Sequence, residues 1–325
     1  MAEDLTNKNE IHRFLLQEAP IRGESVRLTT EWQEVVNRHS LPPAVQRALG
    51  ELTAAAVLLS AALKFDGALV LQILGDGPVH LVVVESNSVA ASVGELGTKF
   101  RATAKLRESI DASAIDPAAT FKELVNPFGT GRFVMTLDPR IKLPGQQTYQ
   151  AIVPLEGNSV AEVIAGYMAR SEQVPTRLWL AADANQASGL LLQKLPSEGG
   201  SIELKAVDAQ KAIADESWTR LEQLADTVGP DELLVTDSEQ LMHRLFWQEP
   251  MRSLDQRICY FGCSCTREKV SNMLQTLGLP EVEGILRERE KVQVNCDYCN
   301  TAYEFDAIDC AALFSSAVKA PESPQ

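Results

Sequence analysis

The sequence predicts an α+β protein in three parts. An N-terminal domain with a mainly antiparallel sheet and packed helices is expected over residues 1–196. A helical linker follows over 197–257, then a small four-cysteine zinc domain over 258–317 and a disordered tail over 318–325. Three observations carry this division. β-rich runs punctuated by turn residues recur through the first part without a repeated βαβ pattern. Past the Glu198-Gly199-Gly200 stretch the composition shifts, with 13 acids against 6 bases between Ser197 and Arg257. All six cysteines of the 325-residue chain lie between Cys259 and Cys310.

In the first part, Phe14-Leu15-Leu16 and Val26-Arg27-Leu28 read as one strand pairing, and Trp32 to Arg38 as a short helix. Pro42 and Pro43 open a longer helix. Its Val45, Leu49, Leu52, Ala56, Leu59 and Leu63 recur at spacings of three and four and form one apolar face. Ala68 to Leu74 and Val79 to Glu85 flank Gly75-Asp76-Gly77-Pro78, a hairpin signal. With no helix following, that glycine pair reads as a turn rather than a phosphate site. Phe100 to Arg107 alternates apolar and polar residues, as a half-exposed strand with a basic outer face does. Phe133 to Leu137 and Thr148 to Leu155 add strands. Ser159-Val160-Ala161-Glu162 is a capping box for a helix carrying Val163, Ile164, Tyr167 and Met168. Leu178-Trp179-Leu180 and Gly189 to Leu195 close the sheet.

The linker reads as helices. Trp218, Leu221, Ala225 and Val228 make one stripe, interrupted at Gly229-Pro230, and Thr236-Asp237-Ser238-Glu239 caps a helix bearing Leu241 and Leu245. Short isolated helices are marginal in water, so these stripes need a surface to cover. Such a segment is either permanently docked or a metastable connector that can undock.

Four cysteines form two tight pairs, Cys263-Ser264-Cys265 and Cys296-Asp297-Tyr298-Cys299, with room between for one helix and one strand. Residues i and i+2 of an extended segment point to one face, and a Cys-x-x-Cys turn brings its two sulfurs together. Four thiolates complete a closed tetrahedron around one zinc ion per chain, with no open position for substrate. Thr266 is the expected N-cap of a helix with Val270, Met273, Leu274 and Leu277 on one face and Gly278 as its stop. That helix end, with Arg267 and Lys269, is expected to lower the Cys265 thiol pKa. Cys310, in a helix starting near Asp306, reads as a buried inert thiol. Cys259, in Ile258-Cys259-Tyr260-Phe261, is either another such thiol or an auxiliary redox thiol.

Composition narrows the function. A net charge of −14 disfavours a nucleic-acid partner. No apolar run approaches a membrane span, and Met1-Ala2-Glu3-Asp4-Leu5 does not read as a signal peptide, so a cytoplasmic location is expected. In a reducing compartment, clustered cysteines mean metal or redox chemistry. The chain has no P-loop, no G-x-G-x-x-G, no nucleophile elbow and no H-E-x-x-H. His12, His39, His80 and His243 are scattered, and no catalytic residues are assigned; the protein is not expected to be an enzyme. A thiol oxidoreductase using Cys296-x-x-Cys299 would need an adjacent βαβ unit. A zinc-ribbon protein adaptor is the other alternative.

Taken together, the chain resembles the 33 kDa chaperonin family, the oxidation-activated heat-shock holdases. In the first part the resemblance rests on Lys64-Phe65-Asp66-Gly67, Gln72, Gly75-Asp76-Gly77-Pro78, Ser171-Glu172-Gln173-Val174-Pro175-Thr176 and Gly189 to Pro196. In the last part it rests on Cys263-x-Cys265-Thr266-Arg267-Glu268 and Cys296-x-x-Cys299. The resemblance implies a zinc-loaded, inactive reduced state. It implies oxidation to the disulfides Cys263–Cys265 and Cys296–Cys299 with zinc release, unfolding of zinc domain and linker, and dimerisation. It also implies ATP-independent holding of unfolded clients. Cys259 and Cys310 are additions to the four-cysteine pattern.

Overall fold

A ten-stranded sheet carries the first of two compact units, Met1–Gly262; the second is Cys263–Gln325. The structure is a computed structural model and describes residues 9–63, 65–92, 95–142, 147–196 and 204–317. The Glu198–Gly200 boundary, Lys64, the Met1–Leu5 stretch and the tail from Val318 lie outside the described residues.

The first unit runs β1 (Glu10–Leu16), β2 (Ile21–Leu28), α1 (Thr30–Val36), α2 (Pro43–Ala62), β3 (Gly67–Leu74), β4 (Val79–Ser92) and β5 (Glu95–Leu106). It continues through α3 (Phe121–Val125), β6 (Arg132–Pro139), β7 (Tyr149–Pro154), α4 (Val160–Tyr167), β8 (Thr176–Ala182) and β9 (Ala187–Lys194). Three helices follow, α5 (Leu204–Ala225), α6 (Pro230–Val235) and α7 (Ser238–Phe246), and then β10 (Met251–Phe261). The strands lie in the order β7, β6, β3, β4, β5, β10, β1, β2, β9, β8. Every neighbouring pair is antiparallel except β5 with β10.

Helix α2 organises one face of this sheet. Proline at its first turn costs no hydrogen bond there. The expected single apolar face understates its burial: from Leu52 to Ala62 every residue is buried. Its alanines keep it thin, so sheet and helices close around it. Gly189 of β9 completes the approach, since a Cβ there would sit 2.9 Å from both Leu58 and Leu180. Leu191 joins this cluster, while Leu190 and Leu192 join a second one, because successive strand residues face opposite sides. The second cluster packs Leu221, Ala225, Leu233, Leu241, Leu245 and Phe246 of α5 to α7 onto Phe14, Leu16 and Ile21. The linker stripes are thus docked on the opposite face of the sheet. Gly229 caps α6 and Pro230 opens it, and Asp237 caps α7 by accepting from the Glu239 amide at 2.9 Å. Asp76 of the Gly-Asp-Gly turn accepts from the Thr130 amide at 2.6 Å, so this turn anchors a neighbouring loop.

The boundary expected between Arg257 and Ile258 falls inside β10. Residues Met251 to Ile258 pair with β1, and Ile258 to Phe261 pair in parallel with Gly97 to Phe100. The Cys259 amide donates to Asn9 O at 2.7 Å and the Phe261 amide to a Glu31 carboxylate oxygen at 2.6 Å. Cys259, 1% exposed, belongs to the α2 core, not to the cysteine-rich unit. Burial, then the charges of Glu10 and Glu31, push its thiol pKa far up.

The second unit holds α8 (Arg267–Leu277), α9 (Leu279–Glu288), the hairpin β11 (Val292–Asn295) and β12 (Ala302–Phe305), and α10 (Ala307–Ala317). Two helices, not one, separate the cysteine pairs. Gly278, at φ +98°, ends α8 as expected, but Pro280 promptly restarts a helix. Val270 and Leu274 face the core with Val282, Val292, Phe305 and Cys310, whereas Met273 and Leu277, expected on the same face, are exposed. Asp306 accepts from the Asp309 amide at 2.8 Å and starts α10.

One buried acid gives the first unit a pH signature. Glu24 of β2 is 1% exposed; its Oε1 accepts from Arg13 Nε at 3.0 Å and its Oε2 has no partner. Burial outweighs the pull of Arg13 and raises its pKa from 4.5 to about 7. A raised acid binds its proton more tightly in the folded chain. Its contribution to stability is therefore present below the unfolded value and lost as pH rises through the folded one. Between pH 4.5 and 7.5, denaturant unfolding of the first unit should show Glu24→Gln gaining on wild type by up to about 3 kcal/mol. A constant difference would show that Arg13 keeps the carboxylate charged throughout.

Candidate metal centre

The four paired cysteines meet at one point. Their sulfurs all lie within 4.8 Å of one another. Cys263 Sγ is 3.6 Å from Cys296 Sγ, and Cys265 Sγ is 3.3 Å from Cys299 Sγ. Close contacts run within the pairs as well, Cys265 with Cys263 and Cys296 with Cys299. Cys310 sits apart in the apolar core of the same unit, its pKa raised by burial and then by Asp309 and Asp306.

Local structure fixes each arm. Cys263 and Cys265 stand in the irregular segment between β10 and α8. Thr266 caps that helix by accepting from the Lys269 amide at 3.2 Å, and Lys269 Nζ donates to Ser264 O at 2.7 Å. Cys296 and Cys299 occupy the tip of the β11–β12 hairpin. The Cys296 amide donates to Thr301 O at 2.9 Å, and the Asn300 amide donates back to Cys296 O at 2.8 Å. Asn300, at φ +56°, takes the left-handed conformation that lets the turn close.

The electrostatics differ from expectation at Cys265. Its pKa is pushed up to about 12, by burial first and by its thiol neighbours, although Tyr303 opposes this. Arg267 gives Cys265 little help because it is committed elsewhere. It stacks over Phe305 at 4.1 Å, pairs with Asp309 at 2.7 Å and donates to Glu304 O at 2.7 Å. The low value belongs to Cys299. Burial would raise it, but the Thr301 hydroxyl and amide hold it at about 6, with Oγ1 3.1 Å from the sulfur. The Tyr303 hydroxyl donates to Cys265 Sγ at 3.2 Å. Sequence reasoning passed over Thr301 and Tyr303. Cys299, Thr301 and Tyr303 follow one another at steps of two, the spacing that puts residues on one strand face.

Four sulfur donors this close cannot all ionise beside one another without a cation. The set fits a metal ion in number, proximity and donor type, and four cysteine sulfurs are the donors of a structural zinc site.

Residues 9–306 match the family model described as Hsp33 protein. The chain belongs to this family. It is 42% identical over 314 residues to a 33 kDa chaperonin of Methylobacillus flagellatus, covering 96% of this chain and 97% of that one. It is 41% identical over 317 residues to the 33 kDa chaperonin of Chromobacterium violaceum, covering 98% and 97%. The fold matches the crystal structure of the 33 kDa chaperonin from Thermotoga maritima with a TM-score of 0.74 at 20% identity, over 97% of this chain and 100% of that one.

Elemental analysis of the reduced protein should find one zinc per chain. Cys→Ser at 263, 265, 296 or 299 should each abolish tight binding, whereas Cys259→Ser and Cys310→Ser should retain it. Full zinc in Cys263→Ser with loss in Cys259→Ser would replace the ligand set.

Proposed function

We propose that this protein is a redox-regulated, ATP-independent holdase that is quiet when reduced and active after oxidation of its cysteine cluster. The observation that carries the proposal is the meeting of four thiols within 4.8 Å of one another in a small unit with few other core residues. A bound zinc ion would cross-link the two cysteine pairs and brace the unit. In structural zinc sites that contribution is on the order of 10–16 kcal/mol, as large as the whole stability of an ordinary domain.

Oxidation acts on the chain's own sulfurs. One thiol of the cluster attacks a peroxide oxygen and gives up its proton to the leaving hydroxide, giving a sulfenic acid and water. A neighbouring thiol then displaces a second water as the disulfide forms. Two thiols and one peroxide thus become one disulfide and two waters. We retain the pairings Cys263–Cys265 and Cys296–Cys299. Thiolate ligands at tetrahedral spacing stand about 3.8 Å apart, whereas bonded sulfurs stand about 2.05 Å apart and have lost the charge that holds a cation. The brace is removed and the second unit unfolds.

The docked face of α5 to α7 suggests how apolar surface becomes available. Undocking would expose Phe14, Leu16, Ile21, Leu190 and Leu192 along with the helices' own stripes. Of the ion pairs on these helices, Arg177 with Glu222 and Arg244 with Glu232 are half-exposed and add little, whereas Arg220 grips the buried side chain of Glu249 through two hydrogen bonds. Exposed apolar strips of this kind bind unfolding clients and, between two copies, support the active homodimer. No helix among the described residues is long and apolar enough to cross a membrane. We assign the protein to the cytoplasm, without a nucleic-acid partner.

Light scattering of a thermally unfolding client tests this directly. Protein pretreated with peroxide should suppress aggregation at near-stoichiometric ratio; reduced, zinc-loaded protein should not. Equal suppression by both states would remove the redox switch, and turnover of a disulfide substrate without suppression would favour an oxidoreductase.

A further inference from the structure

A basic cavity opens at the end of α2, in a chain whose net charge is −14. Arg13, Arg22, Arg140 and Arg257 line about 640 Å³ of space, with Phe65 and Leu96 on its apolar side. Asp66 is the one acid among the described residues of this wall, and Arg140 holds it at 2.9 Å. The fold builds the site by running out of helix. Arg13 shares its sheet face with Ile11, Arg22 with Val26, and Arg257 with Cys259. Where α2 covers that face the residues are apolar core; past Ala62, where the helix ends, they are arginines around the buried Glu24.

Two of these guanidiniums are poorly compensated. Arg22 donates through Nε and Nη2 to the neutral Gln193 Oε1 at 2.9 and 2.5 Å, and meets no carboxylate within ion-pair distance among the described residues. Arg257 is 11% exposed and, among the described residues, donates through Nε alone, to Asp255 at 2.8 Å. Asp255 is shared with Arg13, which also takes up Glu24. Burial lowers the Arg22 pKa, and although Glu24 opposes this, Arg13 adds to the lowering. Half-buried cations short of counter-charge cost free energy that an anion in the cavity recovers. A phosphate monoester brings two charges and three acceptor oxygens, enough for two separate guanidinium forks, whereas one fork satisfies a carboxylate. The volume is that of a small-ligand site, larger than inorganic phosphate requires.

We propose that this cavity binds a small phosphate monoester, with its phosphate on Arg22 and Arg257 and its organic body against Phe65 and Leu96. The site uses no cysteine, and the proposal stands or falls apart from the redox reading.

Calorimetric titration of the full reduced chain with phenyl phosphate, inorganic phosphate and benzoate tests it at fixed ionic strength. Phenyl phosphate should saturate one site per chain. Inorganic phosphate should compete more weakly, and benzoate least. Arg22→Met and Arg257→Met should each weaken phenyl phosphate by about tenfold or more, the loss expected for a charged hydrogen bond. Inorganic phosphate binding as tightly as phenyl phosphate would overturn the ester assignment. No saturable binding, or binding unchanged in both variants, would overturn the site. Should the variants not fold, phenylglyoxal labelling of wild type decides the matter. Phenyl phosphate should slow modification of Arg22 and Arg257 but not of the exposed Arg287, and unchanged rates at the first two would overturn the proposal.

Discussion

Four sulfurs within 4.8 Å are the constraint on which the second unit depends. They cannot all carry charge unless a cation sits among them, and its neighbouring core is small: Val270, Leu274, Val282, Val292, Phe305 and Cys310 are its buried apolar residues. At roughly 1.5–3 kcal/mol per fully buried side chain, such a core leaves little margin after conformational entropy is counted. The β11–β12 hairpin tip and the segment before α8 come together through the cluster. On the proposed reading, a reaction confined to sulfur would change the stability of the whole unit.

In the first unit the same logic runs through the sheet. The α2 face has a deep core, closed by small residues. The other face is covered by α5 to α7 over β1, β2, β9 and β8, and these helices bury one stripe each and otherwise meet water. Between the two halves of the sheet lies β10, the last of the sheet's own strands in sequence, inserted between β5 and β1. Two residues after β10 ends at Phe261, the first cluster cysteine appears. The chain that leaves the centre of the sheet is the chain that enters the cysteine cluster.

Much of this was legible in the sequence. The hairpin around Gly75 to Pro78, the proline-opened α2 and the Ser159 cap are all local signals. Ser159 accepts from the Glu162 amide at 3.2 Å, although Glu162 answers to the Asn158 amide rather than to Ser159. The four cysteines meet as their spacing indicated. What was not legible depended on tertiary contact. Met251 to Arg257 is polar and follows an acidic helical stretch, so nothing local marks it as a central strand; its partners are 160 or more residues away. Cys265 looked activated because Arg267 and a helix end adjoin it, but Arg267 is held by Phe305 and Asp309. Glu24 and its arginines were invisible as a group because separate strands bring them together.

The central claim is that the cysteine cluster braces the second unit and, through it, the docking of α5 to α7. Hydrogen exchange during peroxide treatment, with released zinc followed by a chromogenic chelator in the same sample, tests it most directly. The account predicts that protection of α8 to α10 and of α5 to α7 falls in step with zinc release, while β3 to β5 stay protected. Zinc release with α5 to α7 still fully protected would contradict it, leaving the cluster a brace for its own unit alone.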